Sequence, residues 1–446
     1  MSDARPISAR PNLEQYRKLA KELKAACESS DANAIREWAS RWLERLALQN
    51  PRVSIQRTAA QEAQEIEHRW QEFRRKKQRA DSCTLADAQF FLAREHGFAS
   101  WPKFARYLEA MARTDSRVSA FEAAADAIAA GDVDGLRKLL ATHPGLIRER
   151  SIREHRSTLL HYVSANGVED YRQKTPGNIV EIASLLLNNG ADANAVSEAY
   201  GGGATALGLV ATSIHPERAG VQIPLLQVLV DRGATFIPPG TGAASRSIVQ
   251  GCLANGQLES ARFFANLGAE LDLDGAAALD RVDVLRTLFD TERARSKPTA
   301  NDVESAFLSA CAYGSRASAE YLLDYGVDLT ARNGEGQTAL HLANYGPHLE
   351  VINLLLERGA AVDVKDSRFQ ATPMDMALWR WRNTDSKDTR ERCYQAVARL
   401  ARAGAKFDPD QWRGPEEESS PMLEKIADDT RMDAALRGHV TAREES

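Results

Sequence analysis

The chain has no C-x-x-C pair, no long apolar run and no excess of charge of one sign. Five cysteines in 446 residues lie far apart. That scarcity argues against a disulfide framework or a structural zinc site and fits a reducing compartment. The net charge of -5 is mild for this length. It leaves out the basic field on which phosphate binding depends, so nucleic acid is not the expected partner. The stretch from Ile179 to Leu187 is broken by Glu181 and Ser184, and no run approaches the ~18 residues of a membrane span. The N-terminus shows no apolar signal core. A soluble, cytoplasmic protein is expected, without cofactor or metal. Aromatics are sparse at 7%, whereas apolar residues reach 43%, with Ala and Leu plentiful, which leans towards helix.

Three textures follow one another. Residues 1–112 read as a small helical domain without repeats. Leu13, Tyr16, Leu19, Ala20, Leu23 and Cys27 recur at helical spacing, and Ile35, Trp38, Trp42 and Leu46 form a second stripe after the capping candidate Asp31. Gln61 to Arg79 reads as a charged helix ending in the basic run Arg74-Arg75-Lys76-Lys77-Gln78-Arg79, whose cations suit a helix C-terminus. Thr84 and Asp87 stand at capping-box spacing, and Gly97 is placed to close that helix. Residues 409–446 are polar and acidic, with Glu416-Glu417-Glu418, and are expected to be a flexible tail carrying a short helix over 422–436.

Between them, residues 113–408 repeat. The clearest unit runs from Asn333 to Asp366, with Thr338-Ala339-Leu340-His341, then Leu354-Leu355-Leu356 and Gly359-Ala360. Thr158-Leu159-Leu160-His161 closes on Gly190, and Thr372-Pro373-Met374 closes on Gly404. Aligning the closing glycines gives about eight units, several irregular. These segments resemble ankyrin repeats, whose mark is T-P-L-H-x-A, an inter-helix Gly, a Leu pair and a Gly-Ala. The complete chain is similar to bacterial multi-repeat ankyrin proteins with an N-terminal helical domain ending in a motif like Ala93-Arg94-Glu95-His96-Gly97-Phe98-Ala99-Ser100-Trp101. The resemblance implies an all-α solenoid with short inter-repeat hairpins.

The physics agrees with it. Each unit is a pair of short amphipathic helices that cannot bury its apolar face alone, and stacking builds a continuous core and a long concave surface. Thr158, His161, Gly190, Thr338, His341, Gly359, Thr372 and Gly404 are expected to hold the repeat, the histidines tying adjacent turns together.

Three insertions interrupt the regular spacing, at Val168–Gly177, Ile214–Val221 and Trp379–Lys387, each expected between the two helices of its unit. Their composition, with the concave face, nominates Tyr171, Arg172, Tyr200, Tyr345, Trp379 and Arg380 as partner contacts. Trp379 and Trp381 stand two apart, so a helix would turn one inward and leave the other as an exposed anchor. Tyr200-Gly201-Gly202-Gly203 lacks the ending of a P-loop and reads as a hairpin tip. No catalytic or metal residue is assigned. The expected function is a monomeric, non-enzymatic scaffold that binds another protein. The alternative is an enzyme or effector whose site is built from His155, Glu169, Asp170 and His215, or an N-terminal activity targeted by the repeats.

Overall fold

A computed structural model describes residues 4–7, 11–29, 31–49, 59–77, 83–113, 116–236, 247–290, 298–412 and 421–439. The chain divides into two compact units, 1–248 and 249–446. Sequence texture drew its line at 112/113 instead.

The first unit opens with five helices: α1 (Leu13–Glu28), α2 (Ala34–Gln49), α3 (Ala59–Lys76), α4 (Leu85–Glu95) and α5 (Trp101–Met111). Their starts are written locally. The Asn12 side chain accepts from the Glu14 N–H, and Thr84 Oγ1 accepts from the Asp87 N–H at 3.1 Å. Residues 78–82, including the end of the basic run, lie outside the described residues. The apolar stripes meet in one core of Leu23, Trp38, Trp42, Trp70, Phe91 and Phe104.

His96 sits at the centre of that core. Its ring stacks on Phe104 at 5.0 Å and meets Tyr16 and Trp42 edge-on. Burial pushes the imidazole pKa down to about 3. Gly97 then takes φ +79°, a left-handed closure that a side chain would resist.

The same core brings Cys27, at the end of α1, and Cys83, before α4, into a disulfide with Cα atoms 6.2 Å apart. This corrects the spacing argument. The cysteines are 56 residues apart in sequence, and only the packing of α1 against α4 joins them. Cys252, Cys311 and Cys393 are free and buried.

Paired helices follow. In the first unit they are Arg117–Ala130 with Val133–Thr142, Leu159–Ser164 with Ile179–Asn188, and Ala206–Ala211 with Gln222–Asp231. Leu159–Ser164 winds as a 3-10 helix, tighter than the α-helix expected there. The hairpin between the second and third pairs carries a short antiparallel ladder, β1 (Val196–Ser197) with β2 (Ala204–Thr205). Tyr200, Gly201, Gly202 and Gly203 at its tip all have positive φ.

In the second unit the pairs are Ile248–Ala254 with Leu258–Asn266, Leu273–Ala278 with Val282–Phe289, Ala300–Tyr313 with Arg316–Tyr325, Ala339–Tyr345 with Leu349–Glu357, and Pro373–Arg382 with Lys387–Arg402. One core runs through the last four of them, from Ala276 and Phe307 through Ala343 and Leu355 to Leu378, Val397 and Leu400. Small residues on the first helices permit close approach, and the Leu pairs on the second helices fill the space behind.

The tail is not uniformly flexible. Helices Pro421–Ala427 and Thr430–Leu436 pack on the last pair, with Met422 and Met432 fully buried. Tyr394 Oη donates to Asp429 Oδ2 at 2.6 Å, and Arg402 Nε donates to the Gly438 carbonyl at 2.6 Å. The apolar residues Met422, Ile426, Met432 and Ala435 give these helices a buried face that the tail's acidic composition obscures. The acidic run Glu416–Glu418 lies outside the described residues.

Candidate functional site

The repeat residues Thr158, Thr338 and Thr372 each stand at the N-cap of a first helix. The Thr338 N–H donates to His341 Nδ1 at 3.1 Å, which leaves the ring proton on Nε2. Nε2 then donates to the Ala371 carbonyl, 3.0 Å away in the next repeat. His161 repeats this geometry with Thr158, at 3.1 Å, and with the Ala204 carbonyl at 3.1 Å. Burial lowers the pKa of both rings, that of His161 to about 4. At Thr372 an aspartate takes the histidine's place. Asp375 Oδ2 accepts from the Thr372 N–H at 2.8 Å, and Oδ1 accepts from Trp412 Nε1 at 2.9 Å. Gly190, Gly359 and Gly404 all adopt positive φ after the second helices.

The first insertion carries the residues most strongly nominated from sequence, and the structure turns them inward. Arg172 is 4% exposed. Its Nε donates to Asp126 Oδ1 at 2.8 Å, and its Nη1 donates to Glu122 Oε2 at 2.8 Å. Arg153 is fully buried beside it. Its Nη1 donates to the His96 carbonyl at 2.7 Å, its Nη2 to Tyr171 Oη at 3.2 Å, and its Nε lies 2.6 Å from Glu169 Oε1. Burial alone would raise the Glu169 pKa, but Arg153 and Arg172 outweigh it and hold the carboxyl well below the usual range.

Arg172 is therefore withdrawn as a partner contact, because its guanidinium is consumed inside the fold. Tyr171 is half-buried, with the Arg172 guanidinium 5.1 Å from its ring centre. Spacing gave no sign of this, since the partners at 122 and 126 lie 50 and 46 residues upstream.

The residues of the enzyme alternative meet only in part. His155 Nε2 donates to Glu169 Oε1 at 3.2 Å, while His155 Nδ1 accepts from the Ser157 N–H. That pair is sealed by two guanidiniums. Asp170 is exposed beside it, and His215 lies in a short helix, Ile214–Arg218, formed by the second insertion. Next to this network, Phe73 and Phe90 on one side and Tyr200 and Glu198 on the other line a cavity of about 490 Å3. Tyr200 is exposed, and its hydroxyl donates to Asn166 Oδ1.

The third insertion is not a loop between helices. It extends the first helix to Arg382, and the second begins at Lys387. Trp381 is buried at 1% exposure, whereas Trp379 is 41% exposed. Trp379 stacks on Tyr345 of the preceding first helix, itself 51% exposed, with ring centres 5.5 Å apart and planes at 16°. Arg380 is half-buried beside Trp379. Two exposed aromatic rings from successive repeats thus form one continuous apolar surface. Among the described residues no group of His, Cys, Asp and Glu is arranged to hold a metal ion, and no helix is long and apolar enough to cross a membrane.

Comparison with known proteins finds ankyrin repeats in part of the chain. A family model described as ankyrin repeats in three copies matches residues 273–366. Ankyrin repeat and KH domain-containing protein mask-1 of Caenorhabditis elegans is 38% identical over 77 residues, 17% of this chain and 3% of that protein. SH3 and multiple ankyrin repeat domains protein 2 of Homo sapiens is 38% identical over 69 residues, 16% of this chain and 4% of that protein. The B-cell lymphoma 3 protein homolog of Mus musculus is 39% identical over 79 residues, 17% of this chain and 18% of that protein. The chain thus spans less than a fifth of the length of each of these relatives. The human ASB11 ankyrin repeat domain aligns at 20% identity and TM-score 0.32, covering 64% of this chain and 99% of that one. Residues 273–366 thus carry ankyrin repeats, within an all-α array of paired helices preceded by a helical N-terminal region.

Proposed function

We propose that the protein is a non-enzymatic interaction scaffold that binds another protein through the face of its first helices, with Tyr345 and Trp379 as anchors. The observation that carries this reading is the exposed stack of those two rings. A single exposed aromatic is ordinary, but two stacked in the open form a contiguous apolar patch, and Trp and Tyr are enriched among residues that dominate interface energetics. The alternative of an active site in the insertions has less support. A general base needs a free lone pair and access, and Glu169 is fully buried and held by Arg153 and Arg172.

Beside it stand the expectations of a cytoplasmic, monomeric protein akin to bacterial multi-repeat ankyrin proteins, against which the Cys27–Cys83 disulfide counts for the compartment. Of the nominated contacts it keeps Tyr200, Tyr345, Trp379 and Arg380, and it drops Tyr171, whose hydroxyl accepts from the buried Arg153. The test compares affinity capture by the full chain with capture by a Tyr345→Ala/Trp379→Ala double variant whose far-UV circular dichroism matches. A protein retained by the first and lost from the second is expected. An unchanged set of captured proteins would remove the scaffold reading from this face.

A further inference from the structure

The aromatic stack has a defined extent. Leu342 precedes Tyr345 by three residues, and Met376 precedes Trp379 by three, so each helix presents its pair on one face. Leu342 is half-buried and Met376 is 9% exposed, giving the strip an apolar floor beneath the two rings. Methionine in such a floor adapts its shape to what lies on it. In the preceding repeat, counting back from the helix Arg316–Tyr325, the matching positions hold Ser309 and Ala312. The apolar strip is therefore two helices wide, ~10 Å between axes.

Arginines cluster around the strip. Arg380 follows Trp379, Arg382 ends the same helix, and Arg390 and Arg392 lie on the helix Lys387–Arg402 behind it. None of these four guanidiniums forms an ion pair with a described residue. Elsewhere in this unit, Arg358 pairs with Asp324, Arg368 with Glu335 and Arg431 with Glu391. Arg390 donates to the Thr384 carbonyl at 2.8 Å, which leaves its charge uncompensated. Arg380 and Arg390 are near enough to the Cys393 thiol, and Arg392 to the His348 imidazole, to bear on their titration. His348 lies in the turn directly after Tyr345 and donates from Nε2 to the Ala312 carbonyl at 2.9 Å, so Arg392 stands near the turn that follows the Tyr345 helix. The acids of the neighbouring turn are Asp385 and Asp388, while Glu391 is taken by Arg431.

We propose that this strip docks an acidic segment of a partner protein, with a bulky apolar side chain seated on Tyr345 and Trp379 and flanking carboxylates meeting Arg380 and Arg392. Arginine suits both roles, since its planar fork pairs with a carboxylate in two places and packs flat on aromatic rings. Charges without an internal ion-pair partner are free to meet charges of the opposite sign on a partner, which gives the surface its selectivity for sign.

This inference rests on the scaffold reading, and the experiment separates the two. Three pools of fluorescein-labelled twelve-residue peptides share a central position randomised among Leu, Phe, Ile and Trp. They differ only in flanks of Asp/Glu, Ser/Asn or Lys/Arg. Anisotropy with the full chain at low salt should show the acidic pool binding at least about tenfold tighter than the neutral pool, and weakening as salt is added. The R380E/R392E variant should lose that preference and favour the basic pool, while R380K/R392K retains part of it. Y345A/W379A should lose every pool. Neutral peptides bound as tightly as acidic ones, with Y345A/W379A still abolishing binding, would overturn the acidic assignment and leave the scaffold reading intact. Binding that survives Y345A/W379A, or no binding to any pool, would overturn both for this face.

Discussion

Replacing Glu169 by glutamine should cost the first unit about 3–5 kcal/mol, although it removes no atom from the core and leaves the side-chain shape unchanged. Glu169 is fully buried; Arg153 Nε lies 2.6 Å from one of its oxygens, Arg172 Nη1 lies 3.5 Å from the other, and His155 Nε2 is 3.2 Å from the first. Removing its charge leaves two buried guanidiniums facing Glu122 and an Asp126 whose side chain is 63% exposed. A buried cation deprived of its partner cannot recover its hydration, and that is the source of the loss. The amount is a large part of the ~5–15 kcal/mol that holds a domain folded. Because Arg153 also holds the His96 carbonyl and Tyr107 Oη, the damage should spread beyond the insertion. Hydrogen exchange of the full chain, read by mass spectrometry against urea, measures both quantities. Protection should fall together in peptides covering α4 and α5, the helix Arg117–Ala130 and the insertion. A loss below about 1 kcal/mol, or one confined to 168–177, would refute the account of this network as an internal clamp.

Acid should weaken the same unit. His96 and His161 are held near 3 and 4 in the fold against 6.5 in the open chain, so between those values the unfolded state binds more protons. Stability should therefore fall as pH drops below about 6.5, by about 2 kcal/mol for each ring at pH 5; urea midpoints that do not change from pH 7 to 5 would contradict this. Reducing the Cys27–Cys83 bond opens a loop of 56 residues and should lower the stability of the helices from 13 to 111 by about 4 kcal/mol on chain-entropy grounds. Exchange protection there should drop with reductant while residues 300–402 keep theirs. Trp412→Phe removes the donor to Asp375 Oδ1 and should cost about 1–2 kcal/mol in the last repeat, seen as a lower thermal midpoint.

Much of the fold could be read in the sequence because it is periodic and local. The closing glycines, the Leu pairs and the Thr–His spacing at 338 and 341 all act within a few residues of themselves. Trp379 and Trp381 are a case in point, since two positions on a helix cannot share a face and one had to point outward. What the sequence concealed was polar and distant. Nothing near Arg172 announces that Glu122 and Asp126 will surround it, and an isolated Tyr-Arg in a long insertion has the composition of an interface whether it faces water or the core. The pairing of Cys27 with Cys83 was hidden in the same way, because apolar periodicity says which face is buried and not which helices adjoin. The tail misled through its average, since its acidic residues outweigh four buried apolar positions that dock it.

The histidine joints give the stack a polarity. His161 and His341 each lend a proton forward, to the carbonyl that immediately precedes the threonine cap of the following repeat. Peeling away the carboxyl-side neighbour leaves the ring N–H without a protein partner, whereas peeling away the amino-side neighbour leaves a carbonyl that already accepts a second bond, from Ser197 Oγ or from the Asp366 N–H. At these two seams unzipping is therefore easier from one direction than from the other, and truncations of equal length made from opposite sides of a seam should not be equally tolerated.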